Sequence, residues 1–231
     1  MPVGLVSNCV AVFVGGILGT CLRKHLKDDM KKILTLMFGL CAIANGIISV
    51  IRVSRMPPVI LTIILGACVG QLLSLEKNIT RGFGFLLSKI PFDKTSLDMD
   101  KYLTLIVIFC VSGFGMYGVF MEGIHADSSW LLSKSIVDFF TALIFASTLG
   151  FAVSIIAFPQ AIVMVSFFFL AKAIAPYIGE AQIMNFMAIG GILTIAAGSR
   201  VAEIKHFPIG NMIPALFLIF PVTALWDKIF P

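Results

Sequence analysis

The run KSIVDFFTALIFASTLGFAVSIIAFPQ, residues 134–160, decides the fold class of this chain. After Asp138 the sequence carries no charged residue until Lys172. A helix rises about 1.5 Å per residue, so residues 139–171 would form a rod of about 50 Å, whereas the hydrocarbon core of a bilayer is about 30 Å thick. The run must therefore contain two membrane spans. Pro159 lacks an amide proton and clashes with the preceding turn, so the turn between the spans is predicted there.

The composition places the whole chain in the lipid bilayer. Of the 231 residues, 59% are hydrophobic and 13% are charged, which is too apolar for a soluble domain of this size. We therefore predict a single integral membrane domain over residues 1–231, with a retained first helix rather than a signal peptide. The basic residues lie in short clusters between apolar runs, so the net charge of +5 reflects membrane orientation and does not predict nucleic-acid binding.

Uncharged runs of about 17 to 25 residues predict an all-α, polytopic transmembrane helix bundle with eight spans. The predicted spans are 4–22, 33–51, 57–73, 102–121, 136–157, 161–178, 184–199 and 208–226. Seven spans are the alternative, because two short segments of the central run could pair as a re-entrant hairpin.

Loop charge predicts the orientation of these spans. Twelve of the 17 Lys and Arg residues follow the first, third and seventh spans, so those loops are predicted to be cytoplasmic and both termini to lie outside. The basic residues assigned to the outer side are Arg52, Arg55, Lys134, Lys172 and Lys228.

The connection 75–100 is predicted to be a cytoplasmic amphipathic helix and linker. Its first part, residues 75–90, has apolar side chains close to helical spacing, which is typical of an interfacial helix. A continuation of the third span into the cytoplasm is the alternative. The remainder is a polar link that contains a proline.

Residues 38–66 and 190–218 are a candidate inverted repeat. Each has two glycines seven residues apart, followed by an arginine and a span that begins at proline. Inverted repeats recur in secondary transporters, although chance similarity between glycine-rich helices is the alternative. Small residues four apart also recur in several spans and predict close helix packing, within the chain or in a homo-oligomer.

Four segments carry a family resemblance: GLVSNCVAVFVGGILGTCLRK (4–24), LGACVGQLLSLEKNI (65–79), FCVSGFGMYGVFMEGIHADSSWLLSKSIVDFFTALIFASTLG (109–150) and IGNMIPALFL (209–218). Together they resemble the YdfK/YqgA-like family of bacterial multi-pass membrane proteins, domain of unknown function 554. The resemblance implies a common fold and a location in the bacterial inner (cytoplasmic) membrane, but no substrate or mechanism.

Asp138 is the first candidate for a ligand site. It is either a carboxylate at a helix N-terminus, stabilised by the helix dipole and interfacial water, or an ion or proton ligand inside the bundle, with hydroxyls from Ser135, Ser147 and Thr148. Glu122 is predicted either to form an acidic entrance with His125 and Asp127 or to lie in a solvated loop.

Amide side chains form a second set of candidates. They are Asn8, Asn45, Gln71, Gln160, Asn185 and Asn211. Hydrocarbon cannot satisfy their donors and acceptors, so each is expected either to tie helices together or to line a polar site. Asn211 also precedes a helix break at Pro214, which would free backbone carbonyls.

These candidates predict a transporter or channel for a small solute or ion. Its polar path would be lined by Asp138, Gln160, Asn8, Asn45, Ser147, Thr148, Asn211 and Glu122. The alternative is a non-transporting structural or regulatory membrane protein that packs or recruits partners through its small-residue helix faces. No enzyme motif or metal-ligand spacing is present in the sequence, so we expect no catalytic residues, cofactor or metal.

Overall fold

The computed structural model describes residues 2–88, 98–174 and 176–229, and all regular elements in those ranges are α-helices. The helices are α1 (Val3–Leu22), α2 (Asp28–Ile51), α3 (Met56–Leu72), α4 (Leu75–Ser88), α5 (Met99–Val111), α6 (Gly113–His125), α7 (Ser129–Leu149), α8 (Ala152–Ile155), α9 (Ala157–Ile174), α10 (Glu180–Val201), α11 (Ile209–Met212) and α12 (Ala215–Ile229). Seven helices or continuous helix pairs are long and apolar enough to cross a bilayer, and the bent pair α3–α4 makes an eighth. The predicted all-α bundle of seven or eight spans is confirmed.

The turn in the long central run is at Gly150, so the prediction of a turn at Pro159 is wrong. Helix α7 ends at Leu149, and Gly150 has a positive φ of 73°, which glycine adopts without steric penalty. Pro159 instead lies in the first turn of α9, where a missing amide proton removes no hydrogen bond of the helix. Gln160 therefore lies inside the sixth span and not at a junction between spans.

The small-residue stripes bring helices of the same chain together. A Cβ on Gly46 of α2 would lie 2.7 Å from the carbonyl oxygen of Gly191 in α10, and one on Gly198 would lie 2.7 Å from that of Gly39. The two halves of the candidate repeat thus pack on each other with opposite chain directions. Similar contacts join α1 to α7 and α3 to α12. Because these stripes are occupied within the chain, they give no support to the predicted homo-oligomer, which stays a prediction.

The fourth span is enclosed by the others and broken in its middle. Helix α5 ends at Val111, and the hydroxyl of Ser112 accepts a hydrogen bond from the Gly115 amide at 3.3 Å, which caps α6. Gly113 packs against the backbone of Met187 and its neighbours in α10, where a side chain would clash. The break therefore lies in the centre of the bundle, facing α2, α7 and α10.

Helix α4 turns away from α3 by 61° at Ser74, whose φ is 49°. A sharp turn of this kind is expected of a helix that leaves a span and lies along the interface, and it argues against the straight continuation of the third span. The predicted polar link lies largely in residues 89–97, outside the described residues.

Candidate functional site

Lys134 and Asp138 form a buried ion pair near the middle of α7. They lie one helical turn apart, and the Lys134 ammonium donates a hydrogen bond to Asp138 Oδ2. Their side chains are only 5% and 4% exposed. Two charges with so little access to water require each other and further hydrogen bonds. The predicted fifth span began at residue 136 and left Lys134 outside it, which is wrong, because α7 begins at Ser129. The spacing of four residues places the Lys134 and Asp138 side chains on one helix face.

Two amides from other spans extend this pair into a chain of hydrogen bonds. Asn8 of α1 donates through Nδ2 to Asp138 Oδ2 at 2.8 Å. Gln160 of α9 donates through Nε2 to Asn8 Oδ1 at 2.7 Å. Both amide residues are fully buried. The structure therefore brings together three of the predicted site residues, Asp138, Asn8 and Gln160, which are far apart in the sequence.

A cavity of about 280 Å³ lies beside the ion pair, between α2, α7, α10 and the break in the fourth span. Its polar lining residues are Asn45, Ser112, Lys134, Asp138, Thr141 and Thr194. Its apolar lining residues are Phe38, Cys41, Ala42, Ile108, Phe114, Val137 and Phe140. Cys41 and Phe140 are exposed on the perimeter of the bundle, so the cavity opens sideways between α2 and α7. Asn8 and Gln160 do not line the cavity; they hold Asp138 through the hydrogen bonds described above.

The cap of α6 also shapes the space that Lys134 occupies. A Cβ on Gly115 would lie 2.5 Å from Lys134 Cε and 3.0 Å from the Ser112 hydroxyl. Glycine at this position therefore leaves room for the lysine stem beside the first turn of α6. The positive end of that helix and the ammonium lie next to each other at the cavity wall.

Ser147 and Thr148 are not part of this site, so the prediction that they supply hydroxyls to Asp138 is wrong. They lie about 14 Å further along α7 at helical rise. Ser147 donates to the Ile144 carbonyl at 2.6 Å, and Thr148 lines a separate cavity with Lys31 and other residues at the end of the bundle. The third predicted hydroxyl, that of Ser135, donates to the Leu131 carbonyl at 2.7 Å. The hydroxyls that do line the central cavity come from Ser112, Thr141 and Thr194, which the sequence analysis did not single out.

Glu122 holds the first turn of α1. Its carboxylate accepts hydrogen bonds from the backbone amides of Gly4 at 2.6 Å and Leu5 at 3.0 Å, and from the Ser128 hydroxyl. A buried carboxylate at the start of a helix satisfies amides that have no partner within the helix. Glu122 thus anchors α1 and does not form the predicted acidic entrance with His125 and Asp127.

Asp127 has its own partner at the start of α7. It accepts hydrogen bonds from the hydroxyl and the backbone amide of Ser129. These bonds hold the pKa of the Asp127 carboxyl below its usual range. The residue is therefore a local turn-stabilising group.

Asn211 belongs to a second polar cluster, which lies at the opposite end of the bundle from Glu122. Arg200 donates to Glu76 at 3.0 Å and to Asp100 at 3.2 Å. Asn211 accepts from the Glu76 amide at 2.8 Å and donates to Gln71 at 2.7 Å. This cluster ties together the α3–α4 bend and the starts of α5 and α11. The position predicted for Asn211 on a ligand path is thus a structural junction.

Asn185, the last of the predicted amides, holds the chain segment before α3. It accepts hydrogen bonds from the backbone amides of Ser54 and Arg55 at the start of α3.

Within the described ranges, no group of three His, Cys, Asp or Glu side chains lies together as metal ligands would. The one charged constellation that touches a cavity in the centre of the bundle is therefore Lys134 with Asp138, among the residues the structure describes.

The family model of the protein of unknown function DUF554 matches residues 3–224 of this chain. The chain belongs to the DUF554 family. It is 36% identical over 236 residues to the uncharacterized protein YqgA of Escherichia coli strain K12, with all of both chains covered. It is 29% identical to the uncharacterized membrane protein YdfK of Bacillus subtilis strain 168, over 95% of this chain and 94% of the relative. No solved structure matches the chain.

Membership of DUF554 confirms the resemblance carried by the four quoted segments and agrees with a chain that lies in a membrane. The names of the two relatives specify no activity, so the function is inferred from the site. Lys134 is the functional candidate that sequence reasoning missed in this DUF554 protein. The signal was present, since a lysine and an aspartate four residues apart at the edge of an apolar run form a pair on one helix face.

Proposed function

We propose that this DUF554 protein transports a small solute or ion across the bacterial inner membrane, using the central cavity as its binding site. The observation that carries the proposal is the Lys134–Asp138 pair, buried in mid-span and lining a cavity of about 280 Å³. Placing an ionisable side chain inside the membrane costs free energy. Such residues therefore rarely face lipid, and they are typical of substrate paths and proton relays.

The ion pair has no evident structural necessity. Well-packed apolar residues commonly replace a buried ion pair without loss of stability, so stability alone does not account for charges at this depth. The pair also lies at the break between α5 and α6, where the backbone is not continuously hydrogen-bonded. Broken spans next to polar cavities are a recurring design of secondary transporters.

Transport by alternating access fits the structure better than an open channel does. The Arg200 cluster joins four helical segments at one end of the bundle, and Glu122 fastens α1 at the other. Neither group lines the central cavity. A solute in the cavity would therefore reach the water on either side of the membrane only after helices move. The break at Ser112 is a position where the fourth span can bend.

The alternative is a structural or regulatory membrane protein, and one observation favours it. Asn8, Gln160, Asn185 and Asn211 all bond to other helices or cap them, which is how amides hold membrane bundles together without a ligand. A protein of this kind would keep its fold and show no solute-dependent flux.

The experiment is a flux measurement in proteoliposomes. Trapped pyranine reports proton movement and a voltage-sensitive dye reports net charge, while gradients of alkali cations, amino acids, short-chain carboxylates and amines are imposed one at a time. Protein-free liposomes correct for leakage. We expect flux for at least one class, with an initial rate that Asp138→Asn lowers by roughly tenfold or more, because a charged hydrogen-bonding group is lost. Ile162→Ala, a lipid-facing change on α9, should leave the rate unaltered. Absence of flux for every class, or equal rates in Asp138→Asn and the parent, would favour the structural alternative.

A further inference from the structure

We infer that the central cavity binds a small organic carboxylate together with one proton. The inference rests on the proposed transport function and names its substrate class. It follows from three features of the site: the unused donors of Lys134, the enclosed position of the Asp138 carboxylate and the apolar body of the cavity.

Lys134 has hydrogen-bonding capacity left for an anion. An ammonium group carries three N–H donors, and among the described residues Asp138 is its one hydrogen-bond acceptor. The lysine lines the cavity beside the first turn of α6, whose positive end adds to its field. A carboxylate in the cavity would accept from those remaining donors, because hydrogen bonds between ammonium and carboxylate are among the strongest available to a protein.

The Oδ2 atom of Asp138 is already occupied by two donors. It accepts from Lys134 and Asn8, and Asn8 is held in turn by Gln160. A cation would have to compete with Lys134 for this oxygen while placing a second positive charge beside the ammonium. The geometry therefore favours an anion on Lys134 over a cation on Asp138.

Charge balance then requires a proton. The resting pair is neutral, and an added carboxylate would leave one uncompensated negative charge in a buried site, which is costly. Transfer of a proton from water to the Asp138 carboxylate gives a neutral acid and leaves Lys134 paired with the ligand. The other titratable neighbours are thiols: Cys41 of α2, which lines the cavity, Cys9 of α1 and Cys110 of α5. The groups presented by α9 and α10 are the Gln160 amide and the Thr194 hydroxyl, which carry no charge.

The rest of the cavity suits a short apolar body. Three phenylalanines, Phe38, Phe114 and Phe140, form much of its wall. Its volume of about 280 Å³ is near the lower limit of small-molecule sites, roughly 300 to 1,000 Å³. The sideways opening between α2 and α7 would admit a molecule that partitions into the bilayer, as short-chain acids do.

The test compares three probes that share a four-carbon body and differ only in the head group: butyrate, butyramide and butylammonium. Binding to the full chain in nanodiscs is followed by the fluorescence of Trp130, whose ring centroid is 5.5 Å from that of the cavity residue Phe114. Trp226→Phe removes the other tryptophan of the chain. Calorimetry in two buffers of different ionisation enthalpy counts the protons taken up for each ligand bound.

We expect butyrate to bind with uptake of one proton, and butyramide and butylammonium to bind about 10- to 100-fold more weakly. Lys134→Met/Asp138→Asn, in which no charge is left unpaired, should weaken butyrate binding by a similar factor and abolish proton uptake. Thr194→Val, which keeps the ion pair, provides a milder second variant with a smaller loss.

The other outcomes overturn the inference in distinguishable ways. Tighter binding of butylammonium would assign the site to cations. Butyrate affinity equal in the parent and the double variant would place binding elsewhere. Absence of butyrate binding together with Asp138-dependent flux of another solute would refute the carboxylate and leave transport standing. Absence of both would refute the proposed function as well.

Discussion

Replacing Lys134 with methionine is expected to lower the free energy of unfolding by about 3–5 kcal/mol. Methionine keeps most of the length of the side chain but leaves the buried Asp138 carboxylate without its cationic partner, beside the uncharged Asn8 amide. The measurement is reversible unfolding in mixed micelles, followed by helical circular dichroism as the denaturing detergent fraction rises. A loss below about 1 kcal/mol, the usual limit for exposed pairs, would mean that Asp138 reaches water more freely than the structure shows.

Two further variants separate the charge effect from the loss of packing. In Lys134→Met/Asp138→Asn both charges are gone, so most of the lost stability should return, because apolar replacements of buried pairs are often neutral. Lys31→Met removes an ammonium from an ion pair with Asp28, whose side chain is 96% exposed, and should cost less than about 1 kcal/mol. A double variant as unstable as the single one would assign the effect to packing.

Arg200→Met is expected to have an effect of similar size, about 3–5 kcal/mol, at the opposite end of the protein. The Arg200 side chain is 5% exposed and bridges Glu76 and Asp100. Its loss leaves the mostly buried Glu76 carboxylate with only the Gly210 amide as a partner among the described residues. Because Glu76 begins α4, we also expect faster proteolysis of the α4 region in the variant.

Arg55→Met is the matched control for Arg200. The same substitution there removes an ion pair to Asp227 in which both side chains are 44% exposed, so the expected cost is about 1 kcal/mol or less. Equal losses in the two variants would show that burial does not determine the strength of the Arg200 cluster.

Hydrophobicity predicted the fold class and most of the spans, because the length of an apolar helix is set by the thickness of the bilayer. It did not predict where a span ends inside a continuous apolar run. Proline has a lower helix propensity than glycine, but Pro159 lies in the first turn of α9, where it does not interrupt the helix. Gly150 permits the actual turn through its backbone conformation, and nothing in a hydropathy profile marks it.

The sequence predicted some residues of the site but not their partners. Asp138, Asn8 and Gln160 stand out because hydrocarbon cannot satisfy them, and each needed a partner. Which partner each one has depends on tertiary packing. Asn211 and Glu122 looked equally exceptional in sequence, yet each satisfies backbone amides at a helix start. The packing of α1 on α7 and α9 brings Asp138, Asn8 and Gln160 together near the cavity. The sequence alone does not distinguish them from residues that cap helices.

Transport through the central cavity requires that water reach it within the span, and cysteine labelling measures this access. Maleimides react with thiolates, which form in contact with water and not in hydrocarbon. Cys41 lines the cavity, whereas its neighbour Leu40 lies at the same depth on α2, is 56% exposed and does not line it. We expect a variant with Cys41 as its single cysteine to be labelled in native membranes at least about tenfold faster than one with Leu40→Cys as its single cysteine, with unfolded samples of both labelling equally. Equal, negligible labelling of the two positions in the folded protein would show that the cavity is dry and would contradict a transport site there.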